Sequence, residues 1–196
     1  MSNIRRNILK TDLRIIKTKE SLRNALLKLL EEKPLEQISI SELCREAKIN
    51  RGTFYLHYDN VDALFEEYFR DITHDLDVSY MEPYRFANEL NLARLNPKTI
   101  RIFNHIDKYK AFYRIIFSRN VPMQYYHMLF ETMKALFLRN SSIEEVESNK
   151  IHQQLYAGYY ANAIIGMMMQ WYMEDFQLSV EEMNTQLVRI IGLSKN

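Results

Sequence analysis

The chain has little of what bends or staples a polypeptide: four Gly, four Pro and a single Cys in 196 residues. So little Gly and Pro leaves an all-β fold without turn chemistry, and no run of alternating β-branched residues reads as a strand. One Cys forms no internal disulfide; Cys44 lies on an apolar helical stripe, where a small buried residue is a better reading than a redox sensor. There is no Gly-rich phosphate loop, no His pair at i and i+4 and no Cys-based metal spacing. His74, His105, His127 and His152 are scattered and read as partly exposed polar residues on helices. Catalysis and metal binding therefore find no support, and neither an enzyme nor a cofactor is expected. The opening MSNIRRNILK holds no apolar core of signal-peptide length, which places the expected site of action in the cytoplasm.

What is present is concentrated in LEQISISELCREAKINRGTFYLHY, Leu35 to Tyr58. Ser39 and Glu42 form a Ser-x-x-Glu capping box, so a helix starts at Ile40. Ile40, Leu43, Cys44 and Ala47 put a small apolar stripe on one face and leave Ser41, Glu42 and Arg45 outside. Asn50 is the N-cap of a second short helix through Tyr55, with only Lys48 and Ile49 as the turn. Two short helices about so tight a turn make a helix-turn-helix, whose second helix fits the major groove of DNA. Arg51 suits a guanine edge or a phosphate, Thr53 a thymine methyl or a phosphate, and Tyr55 and His57 offer donors at backbone height. Gly52 lets the helix N-terminus come close. The rival reading is an ordinary helical hairpin, which rarely turns Arg, Gly, Thr, Tyr and His outward within seven residues.

Charge divides in the same sense. Residues 1 to 58 carry 12 Lys and Arg against 7 Asp and Glu, a surplus of +5, and residues 59 to 196 carry the other 14 against 18, or −4. A basic end on a mildly acidic body suits a protein of which one end meets a polyanion. Arg5, Arg6 and Lys10 are expected on a flexible arm over the first eleven residues.

At these residues the chain resembles the tetracycline-repressor (TetR) family of bacterial transcription regulators. Lys17-Thr18-Lys19-Glu20 opens a first helix as in that family, Asn50-Arg51-Gly52-Thr53-Phe54-Tyr55 matches its recognition-helix pattern, and Asn60, Asp62, Ala63 and Leu64 match the start of its fourth helix. Three positions depart from the pattern: Pro34 and Lys48 stand where Gly is usual, and Val61 where a phosphate-binding Lys is frequent. Lys48 is then expected to accept a positive φ. The resemblance implies an all-α fold of about nine helices, with a helix-turn-helix domain over residues 12–72 and a helical regulatory and dimerisation domain over 73–196. It implies DNA contacts from Lys17, Thr18, Lys19, Ser39, Ser41, Asn50, Arg51, Gly52, Thr53, Tyr55, His57 and Asn60.

From the fourth helix onward, helices are expected from about Asn60 to Asp77, Pro97 to Tyr109, Ala111 to Ser118, Pro122 to Arg139, Glu144 to Asp175 and Val180 to Ile191, the last capped by Ser179 with Glu182. From Gln153 to Met173, 21 residues carry no formal charge, yet Gln153, Gln154, Asn162 and Gln170 interrupt the stretch and tyrosines lie at its middle. It reads as a buried helix rather than a membrane span. The resemblance makes it the penultimate helix of a two-fold bundle, with Ala157, Gly158, Ala161, Ile165 and Gly166 expected at the dimer interface. Phe103, Phe112, Tyr113, Phe117, Met128, Met133, Phe137, Tyr156, Tyr160 and Met167 either pack as core or line a cavity for a small apolar or aromatic effector, and no ligand residue is named. The expected function is a homodimeric repressor of transcription, bound to a palindromic double-stranded operator and released by an effector. The alternative is a regulator or coactivator of the same fold controlled by a protein partner.

Overall fold

The computed structural model describes residues 2–81, 96–140 and 150–193. Nine α-helices and two 3-10 turns account for the regular structure there, with no strand among the described residues. The contacts divide the chain into two units: Met1–Arg70 with Ser118–Pro122, and Asp71–Phe117 with Met123–Asn196.

In the first unit, α1 spans Ser2–Glu32. Leu22, Ala25, Leu26, Leu29 and Leu30 recur at helical spacing and are all buried, which fixes the inward face of its second half. The expected flexible arm is instead the first turns of this helix, because neither Gly nor Pro interrupts residues 2–32. After Pro34 a 3-10 turn, Leu35–Gln37, leads to α2, Ile40–Ala47, and α3, Arg51–Tyr55. The helix α4, Val61–Met81, begins in this unit and continues four residues past its expected end. The Leu30 carbonyl accepts from Asn120 Nδ2 at 2.7 Å and the Leu35 amide donates to the Asn120 carbonyl at 2.8 Å. Ser118–Pro122 thus closes the C-terminal end of α1, a partnership that no local pattern announces.

The second unit holds the rest of α4 with α5 (Ile102–Lys108), α6 (Lys110–Ile116), α7 (Met123–Asn140), α8 (Gln153–Met173) and α9 (Val180–Leu193). The helix expected from Pro97 is a 3-10 turn, Pro97–Thr99, followed by extended Ile100. Extension buries the Ile100 side chain and presents its carbonyl to Asn184 Nδ2, so helix resumes only at Ile102. The expected residues 144–149 of the long helix lie outside the described residues; within them α8 starts at Gln153. It stops at Met173 because Asp175 and Phe176 take left-handed φ of 53° and 54°, which lays Phe176 edge-on against Trp171. Ser179 Oγ accepts from the Glu182 amide at 3.2 Å and Glu182 Oε2 accepts from the Ser179 amide at 2.8 Å, the reciprocal box that starts α9. No described helix is long and apolar enough to cross a membrane.

The face of α8 differs from expectation. Ala157, Ala161 and Ile165 are 0 to 1% exposed within their own protomer, and a Cβ added at Gly158 would meet Phe130 Cζ of α7 at 3.8 Å. Gly158 thus lies close along α7, and Ala157, Ala161 and Ile165 are already covered within the protomer. Of the five expected interface residues, Gly166 is exposed, with nothing within 4 Å of an added Cβ. The open stripe of α8 instead runs through Leu155, Tyr159, Gly166 and Met173.

Candidate nucleic-acid interface

The reading turn is built from short-range bonds. Ser39 Oγ accepts from the Glu42 amide, while the Glu42 carboxylate takes a 2.5 Å ion pair from Lys33, and Lys28 holds Glu46 at 2.6 Å; both ties pin α2 to α1 or its end. Lys48 ends α2 in the left-handed region, φ 55° and ψ 41°, as the missing Gly required. Asn50 Oδ1 accepts from the Gly52 amide at 2.8 Å and starts α3. Phe54 is fully buried and edge-packed on Tyr55, so it anchors the helix while its neighbours point out. Cys44 is also buried, and burial raises its thiol pKa.

Arg51, Gly52 and Tyr55 are exposed, and Thr53 and His57 half-buried, which brings the expected reading residues together on one short helix and its end. Arg51 Nη2 and the Tyr55 hydroxyl lie 3.5 Å apart, a contact that raises the already high Arg51 pKa. Leu56, 80% exposed just after α3, was not anticipated; an apolar side chain there suits a thymine methyl, and its place beside buried Phe54 was the available signal. Ser39 and Ser41 are exposed at the start of α2. Asn60 Oδ1 accepts from the Ala63 amide at 2.7 Å and so caps α4. Val61 is buried and serves packing.

On α1, exposed Lys17 and half-buried Thr18 line a groove of about 650 Å³ with Arg14, Ser21, Lys48 and Ile49. Arg14 and Lys48 add two cations that the family pattern did not supply. Lys19 is differently placed: its ammonium pairs with Glu67 at 2.6 Å and lies 5.5 Å from the Tyr58 ring centroid. Glu67, on α4, also accepts from Arg23 Nη2 at 2.9 Å and from the Tyr58 hydroxyl at 2.6 Å. Desolvation alone would raise its pKa, but the bonds from Lys19, Tyr58 and Arg23 outweigh it and hold the carboxyl at about 2.

Two family descriptions match: "Bacterial regulatory proteins, tetR family" over residues 22–68 and "Transcriptional regulator C-terminal region" over residues 94–192, the second covering half of the chain. The chain belongs to the TetR family. The TetR relatives include the uncharacterized HTH-type transcriptional regulator YxbF of Bacillus subtilis (strain 168), 20% identical over 173 residues, which cover 87% of this chain and 44% of YxbF. The HTH-type dhaKLM operon transcriptional activator DhaS of Lactococcus lactis subsp. lactis (strain IL1403) is 25% identical over 112 residues, 57% of this chain and 55% of DhaS. The chain spans about half the length of the curated relatives it matches. Among solved structures, NalD, the secondary repressor of the MexAB-OprM multidrug efflux pump in Pseudomonas aeruginosa, superposes with TM-score 0.62 at 17% identity, covering 91% of this chain and 95% of NalD. At that identity the likeness establishes the TetR fold alone.

In the second unit of this TetR protein three polar side chains are bonded in series. His105, expected to be partly exposed, is 2% exposed; its Nδ1 lies 2.7 Å from Asp75 Oδ2 and its Nε2 2.9 Å from the Tyr113 hydroxyl. Asp75 also pairs with Lys108 at 3.0 Å. An ionised Asp75 accepts only, so Nδ1 carries the proton and Nε2 accepts from Tyr113. Burial lowers the His105 pKa, opposed by the Asp75 bond and charge, and burial raises that of Tyr113. His105 also packs against the Tyr109 ring at 4.9 Å; elsewhere in the unit Phe103 meets Trp171 edge-on at 5.8 Å, and Phe137 stacks on Tyr160 at 5.7 Å. Met128 is 42% exposed and lines no interior cavity. Among the described residues, no group of three His, Cys, Asp or Glu is placed to hold a metal ion.

Proposed function

We propose that the protein is a homodimeric, cytoplasmic DNA-binding repressor whose two α3 helices read the halves of a palindromic operator. The observation that carries this is α3 itself: anchored by buried Phe54, capped by Asn50, and presenting Arg51, Gly52, Thr53 and Tyr55 beside the cationic groove of Lys17 and Lys48. Members of the TetR family bind DNA and act as dimers, and the open stripe Leu155, Tyr159, Gly166 and Met173 of α8 is the surface this reading gives to the second copy. The family is one of regulators, and this chain is read as catalysing nothing. An effector that favours a form with its two heads spaced wrongly for the operator weakens DNA binding by the same factor that DNA weakens effector binding. NalD is named a repressor and DhaS an activator, so the sign follows from where the operator lies.

A protein partner as effector is the second reading. The buried rings favour it: Phe103 packs edge-on against Trp171 and Phe112 against Tyr113, and a core filled by its own rings has less need of a small guest. The test is selection of tight binders from random duplexes, then mobility shift at rising salt. A sequence-preferring complex whose affinity falls linearly on a log–log salt plot is expected, with a slope of about −0.9 for each phosphate neutralised. Thr53→Ala with Tyr55→Ala should weaken that complex while the dimer persists. Absence of any preferred duplex, or no salt dependence, would sink the reading.

A further inference from the structure

Glu67 stands where three groups of the reading head converge. Lys19 and Arg23 come from successive turns of α1, and Tyr58 comes from the segment that leaves α3. Tyr58 is no loose partner: it is 5% exposed, its amide donates to the Phe54 carbonyl at 3.0 Å, and its ring lies 5.8 Å from that of Phe54. Phe54 in turn is the buried anchor of α3. A continuous set of contacts therefore runs from the Glu67 carboxylate through Tyr58 and Phe54 to the backbone that carries Arg51, Thr53 and Tyr55.

The sign of the charge makes the arrangement informative. An acid in a basic, DNA-facing head opposes phosphate, and it occupies the ammonium of Lys19, which the family pattern would place on DNA. A bystander acid in that place lowers affinity for every duplex, and its removal must raise it. A carboxylate that fixes the attitude of α3 does the reverse for the operator alone, because base contacts need orientation and phosphate attraction does not.

We propose that Glu67 is a positioning residue for operator recognition, holding α3 at its reading angle against α1 and α4 through Tyr58, Lys19 and Arg23. The proposal rests on the reading of α3 as the DNA-reading helix. The probes are the duplex selected with the unmodified chain and a scrambled duplex of equal length, both titrated against the full-length dimer. In Glu67→Gln, affinity for the selected duplex falls about tenfold, whereas affinity for the scrambled duplex is unchanged or rises, so the preference ratio collapses. Tyr58→Phe removes one hydrogen bond and leaves both cations paired; it lowers the ratio about threefold with the charge unaltered. A loss of folded protein lowers both affinities together and leaves the ratio in place, so the ratio reads positioning apart from stability. If Glu67→Gln does not yield a folded dimer, Tyr58→Phe decides. Tighter binding of both duplexes by Glu67→Gln, or an unchanged ratio in a folded Tyr58→Phe, overturns the proposal and returns Lys19 to direct phosphate contact. Failure of the unmodified chain to prefer any duplex refutes the function instead.

Discussion

Placing a charge at Tyr159 should separate the two subunits without unfolding either. Tyr159 is 65% exposed on the open stripe of α8, flanked one turn away by Leu155 at 72%. Fully burying a large apolar side chain is worth about 1.5–3 kcal/mol, so the exposed two-thirds of this one contributes about 1–2 kcal/mol when a partner covers it. A two-fold axis counts the residue twice, giving about 2–4 kcal/mol, or roughly 30- to 1,000-fold in the dimer dissociation constant. Glu at the position adds like charges across the axis and shifts the outcome to the upper end. Sedimentation equilibrium over a wide concentration range measures the constant, and circular dichroism verifies that helicity is retained. Gly158→Ala is the paired control. Its new Cβ makes an ordinary contact with Phe130 of the same protomer, and the helix gains about 0.5–1 kcal/mol, so the melting temperature rises and the dimer constant stays put. A dimer constant unmoved by Tyr159→Glu but loosened by Gly158→Ala would refute the assignment of faces and restore the stripe of small residues as the interface.

Two further outcomes follow from the buried contacts. His105 has a native pKa below its ordinary 6.5, so the unfolded chain takes up that proton first and stability falls as pH drops below 6.5. Glu67 and Asp75 are held below their ordinary values, so their contribution is present above about pH 4.5 and is lost below it, for Glu67 as pH falls toward 2; denaturant titrations from pH 8 to 3 should show both descents, and His105→Asn should abolish the first. Asn120→Ala removes the donor to the Leu30 carbonyl at the end of α1 and should cost about 1 kcal/mol, read as faster amide exchange through residues 30–35; unchanged exchange there would mean that Ser118–Pro122 does not hold the helix end.

The caps were legible because a cap is decided within four residues. Ser39, Asn50 and Ser179 each need only an amide two or three positions on, and the positive φ of Lys48 follows from how α2 must end. The reading surface was legible for the same reason: on a helix of five residues, once Phe54 is known to be inside, there is little choice about what faces out. Longer-range facts left no such mark. Asn120 meets Leu30 across 90 residues of sequence, and Glu67 meets Lys19 across 48, with nothing in either neighbourhood to announce the partner. The α8 stretch was ambiguous for a different reason. A helix apolar nearly all round carries no moment to say which face belongs to its own core, and small residues favour close packing against either neighbour. Folding resolves the choice by competition: α7 brings Phe130 over Gly158, and Ala157 and Ala161 are covered within the chain, while Leu155, Tyr159 and Met173 stay exposed. A side chain that packs within its own chain and one reserved for a second copy obey the same hydrophobic rule, so only the filled protomer distinguishes them.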